Sequence, residues 1–327
     1  MKSTRINKVL VLALIAVFLV VVGFSVSAGG AAETERVVLA TGGTGGVYYP
    51  LGGAMANIWS NEVEGLSASS ESTGASVENV NLVNYQESQF GLVQNDIAYY
   101  AFNAVEMFED EDPMESMRGV FTMYPETIQI IARAGADVQS IDDIAGKRVA
   151  VGAPGSGTEV NARQILQAHD ITYDDIRQDF LSFAEAADAL RDGNVDVAFV
   201  TAGLPTASVI DLATNTDVNL VSIESAMVES IIDQWPYYAD VAIPGGTYPG
   251  QDSDVQAVAV MAMMIVHESL DEDLVYNITK ATLENTDVLG DTHDRGREVT
   301  AETALDGMSI ELHPGAQRYF EELGLIN

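Results

Sequence analysis

Lys147-Arg148-Val149-Ala150-Val151-Gly152-Ala153-Pro154-Gly155-Ser156-Gly157-Thr158-Glu159-Val160-Asn161-Ala162 is the stretch that decides the fold. Val149, Ala150 and Val151 form a short apolar run that reads as a buried strand. Glycines at 152, 155 and 157 mark a loop. Ala162, Ile165 and Leu166 then recur at i, i+3 and i+4, the spacing of an amphipathic helix. Strand, glycine-rich turn and helix start outline an anion site. The first N–H groups of a helix lack intrahelical acceptors, and the helix dipole favours negative charge there. Ser156 and Thr158 add hydroxyls at the cap. Local features alone also allow a well-capped helix after a tight turn, with no ligand.

Three catalytic readings of this loop fail on spacing. A phosphate-binding P-loop needs Lys directly before its last Ser/Thr, and Gly157 stands before Thr158. A dinucleotide fingerprint counted from Gly155 needs a third glycine where Val160 stands. A hydrolase elbow around Ser156 needs glycine where Pro154 stands. What remains is a loop able to hold a small anion, with a carboxylate as the expected group.

The same pattern recurs upstream. Arg36-Val-Val-Leu-Ala40 reads as a strand and runs into Thr41-Gly-Gly-Thr-Gly-Gly46-Val-Tyr-Tyr-Pro50. Leu51, Ala54, Met55, Ile58 and Trp59 then mark a helix. Residues 66–72 read as a short polar strand leading through Thr73-Gly74-Ala75-Ser76 into a helix. Phe90-Gly-Leu-Val93 is a third strand, ending in Gln94-Asn95-Asp96 at the next helix start, with Asp96 taken as its cap. Residues 119–124 and 127–133 read as two strand segments hinged at Pro125-Glu126. Residues 195–200 form a strand ending in Thr201-Ala-Gly-Leu-Pro205, and residues 255–266 form a long, nearly all-apolar strand. Strands alternating with helices in two successive units point to two parallel-rich α/β layers. The closing helices are expected to fold back over the first unit.

Composition narrows the function classes. The 327 residues suit two lobes, and 47% apolar residues can supply their cores. Forty-nine acidic against 15 basic residues give a net charge of −34, which disfavours nucleic acid and anionic membrane surfaces. The absence of cysteine excludes disulfides, thiol chemistry and Cys-based zinc sites. His169, His267, His293 and His313 are scattered without helical pairing, so no metal or cofactor site is expected. Lys2, Arg5 and Lys8, the apolar run from Val9 to Val22 and Val26-Ser27-Ala28 form a secretory signal expected over 1–28, with an uncleaved anchor as the alternative. No cysteine follows it to carry a lipid, so a soluble periplasmic protein is the simplest outcome.

Gly45-Gly46-Val47-Tyr48-Tyr49-Pro50, Thr73-Gly74-Ala75-Ser76, Gln94-Asn95-Asp96, Gly152-Ala-Pro-Gly-Ser-Gly-Thr158 and His313-Pro-Gly-Ala316 occur in the order and spacing of one family. With these, nearly all the chain after residue 28 resembles the TAXI-type substrate-binding proteins of TRAP transporters. The resemblance implies an α/β, two-lobed periplasmic binding protein of type II with ligand in the interlobe cleft. It implies delivery to TRAP membrane permease subunits driven by an ion gradient. It implies small organic anions as ligands: glutamate, glutamine, or dicarboxylates such as 2-oxoglutarate. On this reading residues 29–125 plus 256–327 form lobe one and 126–255 lobe two.

The loops at strand C-terminal ends, where α/β sheets bind ligands, then supply the expected site. Lobe one offers Gly43, Thr44, Val47, Tyr48, Gln94 and Asn95; lobe two offers Ser156, Gly157, Thr158 and Asn161, with Gly203 and Pro205 on its next loop. Ser156 to Thr158 are expected to hold a carboxylate, with Tyr48, Gln94 and Asn95 at the other end. Arg133 and Arg163 are both open as charge partners. A hydrolase using Ser156 would need a base, and no histidine falls on a neighbouring loop. A surface antigen without a ligand would be favoured by repeats or a low-complexity stalk, which are absent.

Overall fold

Two long strands run antiparallel through the middle of the protein and carry everything else. Residues 117–127 of β4, Met117–Arg133, pair with residues 259–267 of β10, Val255–His267, and the remaining ends of the two strands take different neighbours. The computed structural model describes residues 34–326; the expected signal at 1–28 lies outside the described residues. The ten-stranded sheet has the order β2-β1-β3-β10-β4-β7-β5-β6, with β8 beside β4 and β9 beside β10.

On one side, β1 (Glu35–Ala40) pairs in parallel with β2 (Leu66–Glu71) and β3 (Phe90–Gln94), and β3 pairs with residues 262–266 of β10. On the other, β7 (Val197–Ala202) pairs with residues 127–132 of β4 and in parallel with β5 (Arg148–Ala150). β5 pairs with β6 (Arg177–Asp179). β8 (Val218–Leu220) lies on the far end of β4, and β9 (Ala239–Ile243) on residues 255–259 of β10. Each lobe therefore has parallel strands outside and the two long antiparallel strands inside. The expected pair of parallel-rich layers becomes one sheet continued across both lobes.

β4 also corrects the reading of residues 119–133 as two segments, because it is a single strand through Pro125. Proline lacks the N–H a ladder needs. The chain accommodates it by a register shift: Met261 faces Pro125, but Met263 faces Thr122. One extra residue on β4 forms a bulge at this point.

The helices cover both faces. α1 (Tyr48–Glu62), α2 (Ser76–Asn84) and α3 (Asn95–Asn103) belong with the first three strands. α4 (Gly157–Ala168), α5 (Phe183–Arg191), α6 (Ala207–Asn215) and α7 (Ser225–Gln234) follow in the second lobe. α8 (Glu272–Glu284), α9 (Thr286–Thr292) and α10 (Pro314–Glu322) return to the first lobe, where α8 and α9 pack on α1 and α10 packs on α8. Trp59, fully buried, ties this return together by donating its indole N–H to Thr282 Oγ1 at 2.8 Å. No helix among the described residues is long and apolar enough to cross a membrane.

Candidate functional site

Four helices begin at one cavity between the lobes. Gly46, Val47 and Tyr48 bring the N-terminus of α1 to it; Thr73 to Ser76 bring α2; Ser156, Gly157 and Thr158 bring α4; Ser182 and Phe183 bring α5. The cavity encloses about 570 Å³, counting its mouth. The amide N–H groups of Tyr48, Ser76, Gly157 and Thr158 make no hydrogen bond to another described residue. Converging helix starts with free amides give positive potential without a cationic side chain. Among the described residues, no Lys, Arg or His lines the cavity.

The loops that form it need their glycines at a few points. Gly152 sits at φ 112°, beyond the reach of ordinary side chains, and turns the chain from β5 into the loop. Gly157 lies against the side chain of Gln94, so the first turn of α4 meets lobe one directly. Ser156 caps α4: its Oγ accepts the Glu159 amide at 3.2 Å and donates to the Ala153 carbonyl at 2.7 Å. That hydroxyl is committed to the turn.

The lobes touch on both sides of the cavity. Val77 and Glu78 amides donate to the Gly155 carbonyl at 3.0 and 3.1 Å. Across the cleft, the Ser208 amide donates to the Gly45 carbonyl at 3.3 Å. The structure is a closed form.

Among the described residues, one carboxyl group lines the cavity. Glu126 sits on β4 beside Pro125, 3% exposed, and accepts the Tyr48 hydroxyl on Oε2 at 2.6 Å. Burial pushes its pKa up to about 8, although the Tyr48 hydrogen bond works against the rise. Burial, then the Glu126 charge, raises Tyr48 well above an ordinary phenol. Gln94 Oε1 and Thr201 Oγ1, on two other lining residues, are buried without a partner among the described residues.

Of the residues expected from sequence, Gly43, Val47, Tyr48, Gln94, Ser156, Gly157 and Thr158 line the cavity. Five do not. Thr44 is exposed at the tip of its loop. Asn95 instead repairs the bulge: its Oδ1 accepts the Met261 amide, opposite Pro125, at 3.0 Å, and its Nδ2 donates to the Gly307 carbonyl at 3.0 Å. Asn161 lies one turn into α4 and donates to Asp96 Oδ2 at 3.1 Å and to the Tyr238 hydroxyl at 2.9 Å. Gly203 packs against Tyr124 and Arg295. Pro205 follows a cis peptide, and its carbonyl meets His293 at 3.0 Å in a separate surface groove. Arg133 bonds Asp196 and Arg163 pairs with Glu159, so neither arginine reaches the cavity.

Asp96 is also not the helix cap, a position held by Gln94. It is fully buried, and desolvation raises its pKa to about 7. Asn161 joins it to a relay in which Tyr238 donates to Gln164 Oε1 at 2.6 Å and Gln164 donates to Tyr100 at 3.2 Å. The relay links α3 to α4 across the lobes.

Sequence reading missed Thr73, Ser76, Glu126, Ser182, Phe183 and Thr201 as lining residues. Glu126 had a signal: a lone acid beside a proline inside an otherwise apolar strand run. The others carried none beyond their place at strand ends and helix starts.

The two crossing strands, the parallel flanks and the interlobe cavity define a two-lobed periplasmic binding protein fold of type II. The chain belongs to the NMT1-like family, whose model matches residues 39–324. Among solved structures it is similar to one described as a periplasmic transporter, with TM-score 0.54, 10% identity, and 90% of this chain and 94% of that one covered. It is similar to a protein from Bordetella bronchiseptica RB50, with TM-score 0.53, 17% identity and coverage of 89% and 83%. The alkanesulfonate-binding protein SsuA from Xanthomonas axonopodis pv. citri, bound to MOPS, gives TM-score 0.50, 13% identity and coverage of 89% and 85%. At these identities the likeness is one of fold.

Proposed function

We propose that this chain is a periplasmic solute-binding protein that captures a small organic solute by its carboxylate and delivers it to a membrane permease. The observation that carries the reading is the set of free amides at three helix starts in a closed interlobe cavity without cationic side chains among its described lining residues. Such amides solvate a carboxylate as water would, already oriented. The family and fold support a binding role. SsuA, similar in fold, is an alkanesulfonate-binding protein, and a sulfonate is likewise an anionic head group.

The finer reading rests on the resemblance to TAXI-type proteins. On it the permease is an ion-gradient-driven TRAP assembly, and the solute is glutamate, glutamine or a dicarboxylate. The leader ends at residue 28, and the lobes divide at 125/126 and 255/256, inside or beside the two long strands. The competing reading of Ser156 as a nucleophile gains no support: its hydroxyl is engaged by the turn, and no histidine lines the cavity.

A thermal-shift screen of residues 29–327 in moderate salt tests the proposal. The panel holds L-glutamate, L-glutamine, 2-oxoglutarate, succinate, malate, leucine and a sugar. One saturable carboxylate ligand raising the midpoint, without turnover, is the expected result. No response after unfolding and refolding to remove a carried ligand would overturn it.

A further inference from the structure

We propose that Glu126 receives a ligand ammonium group, so that the cleft takes a zwitterionic α-amino acid in preference to the matching 2-oxo acid. This rests on the reading of the cavity as a carboxylate site and names the solute class within it. The cavity offers helix starts for one carboxylate and a single carboxyl of its own, with no basic side chain between them. A solute carrying only negative groups would leave Glu126 neutral and gain no ion pair from it. An amino acid brings a positive group whose natural partner is already present.

The geometry of Glu126 supports that role. Oε2 is occupied by the Tyr48 hydroxyl at 2.6 Å, which fixes the carboxyl in place. Oε1 accepts no hydrogen bond from any described residue and is not among the fully buried unpartnered atoms, so it is open to the cavity. The group rises from the strand that crosses between the lobes, while the free amides of Gly157 and Thr158 lie on the lobe-two loop. A purely structural partner for Tyr48 would need only a neutral acceptor. A buried acid with one oxygen spare either pairs with a cation or keeps its proton.

That proton provides a readout. With burial holding the pKa at about 8, the empty site is mostly protonated at pH 7. Pairing with an ammonium requires the carboxylate, so the Glu126 O–H bond breaks and its proton passes to the buffer as the amino acid binds. A 2-oxo acid would instead accept a hydrogen bond from the neutral carboxyl, and the proton would stay.

The test is calorimetric titration at pH 7 in phosphate and in Tris, whose different ionisation enthalpies count protons. Matched pairs are used: L-glutamate with 2-oxoglutarate, L-alanine with pyruvate, and L-leucine with 4-methyl-2-oxopentanoate. In the pair that binds, the amino acid is expected to bind about tenfold or more tightly and to release close to one proton. Glu126→Gln should erase both the preference and the proton release. A 2-oxo acid bound as tightly as its amine, amino acid binding without proton release, or a preference that survives in Glu126→Gln would overturn the inference and leave the carboxylate reading standing. Binding of neither class would overturn both.

Discussion

Asp96→Asn tests whether a buried acid sets the pH dependence of folding. The carboxyl of Asp96 is fully enclosed between α3 and α4, with Asn161 as its one side-chain donor. Burial moves its pKa from 3.8 to about 7. In the unfolded chain the group ionises near pH 4; in the folded chain it keeps its proton until near pH 7. The folded state therefore binds more protons across that window. Its stabilising contribution is intact below pH 4 and is lost as pH rises through 7. Each pH unit inside the window costs about 1.4 kcal/mol, so between pH 5 and 8 Asp96 should cost roughly 3 kcal/mol. Glu126, raised from 4.5 to about 8, has the same sign and should add roughly another 3 kcal/mol. His293 and His313, lowered first by burial, oppose this trend by favouring higher pH. They and the surface carboxylates are shared by the variant and cancel in the difference. Urea unfolding followed by tryptophan fluorescence at both pH values supplies the two stabilities. Asparagine keeps an acceptor for Asn161, so the variant should lose about 3 kcal/mol less than wild type between pH 5 and 8. A difference within about 0.5 kcal/mol would show that Asp96 does not titrate in this window and would refute the reasoning.

Further substitutions probe the cavity and the scaffold. Gly157→Ala places a methyl group on the Gln94 side chain at the lobe contact and should weaken calorimetric ligand affinity about tenfold or more, as closure is obstructed. Thr158→Ala should weaken binding by about 1–3 kcal/mol, and unchanged affinity would remove Thr158 from the site. Asp196 accepts hydrogen bonds from Arg133, from the Arg148 guanidinium and from the Arg148 amide, so Asp196→Ala should cost about 2–4 kcal/mol in urea unfolding. With a net charge of −34, the thermal midpoint should rise by several degrees when salt is raised from about 0.05 to about 0.5 M, and a flat response would show that repulsion is already balanced.

The parts of the site that could be seen in the sequence are those written locally. Gly43, Val47, Tyr48, Gln94 and the run Ser156 to Thr158 each stand where an apolar strand breaks into a helix start, and that break is visible within about ten residues. Asn95 and Asn161 stand in the same kind of place but serve the scaffold. One mends a ladder opposite Pro125 and the other anchors Asp96; both needs arise from residues far away in the chain. Glu126 was hidden for the converse reason. Reading residues 119–133 as two segments put it at a hinge, whereas one continuous strand puts it on the floor of the cavity. Phe183 could not be found at all locally, since it reaches the cavity only when its lobe lies against Gly46.

Beside the side-chain relay from Asp96 to Gln164, the two jaws are joined at the flanks of the cavity by main-chain atoms: Val77 and Glu78 amides on Gly155, and the Ser208 amide on Gly45. Main-chain donors survive almost any replacement of the side chains around them. Shutting and choosing are thus written in separate parts of the molecule. A descendant of this chain can acquire a new cargo by exchanging Glu126 or Thr201 while these main-chain contacts stay the same.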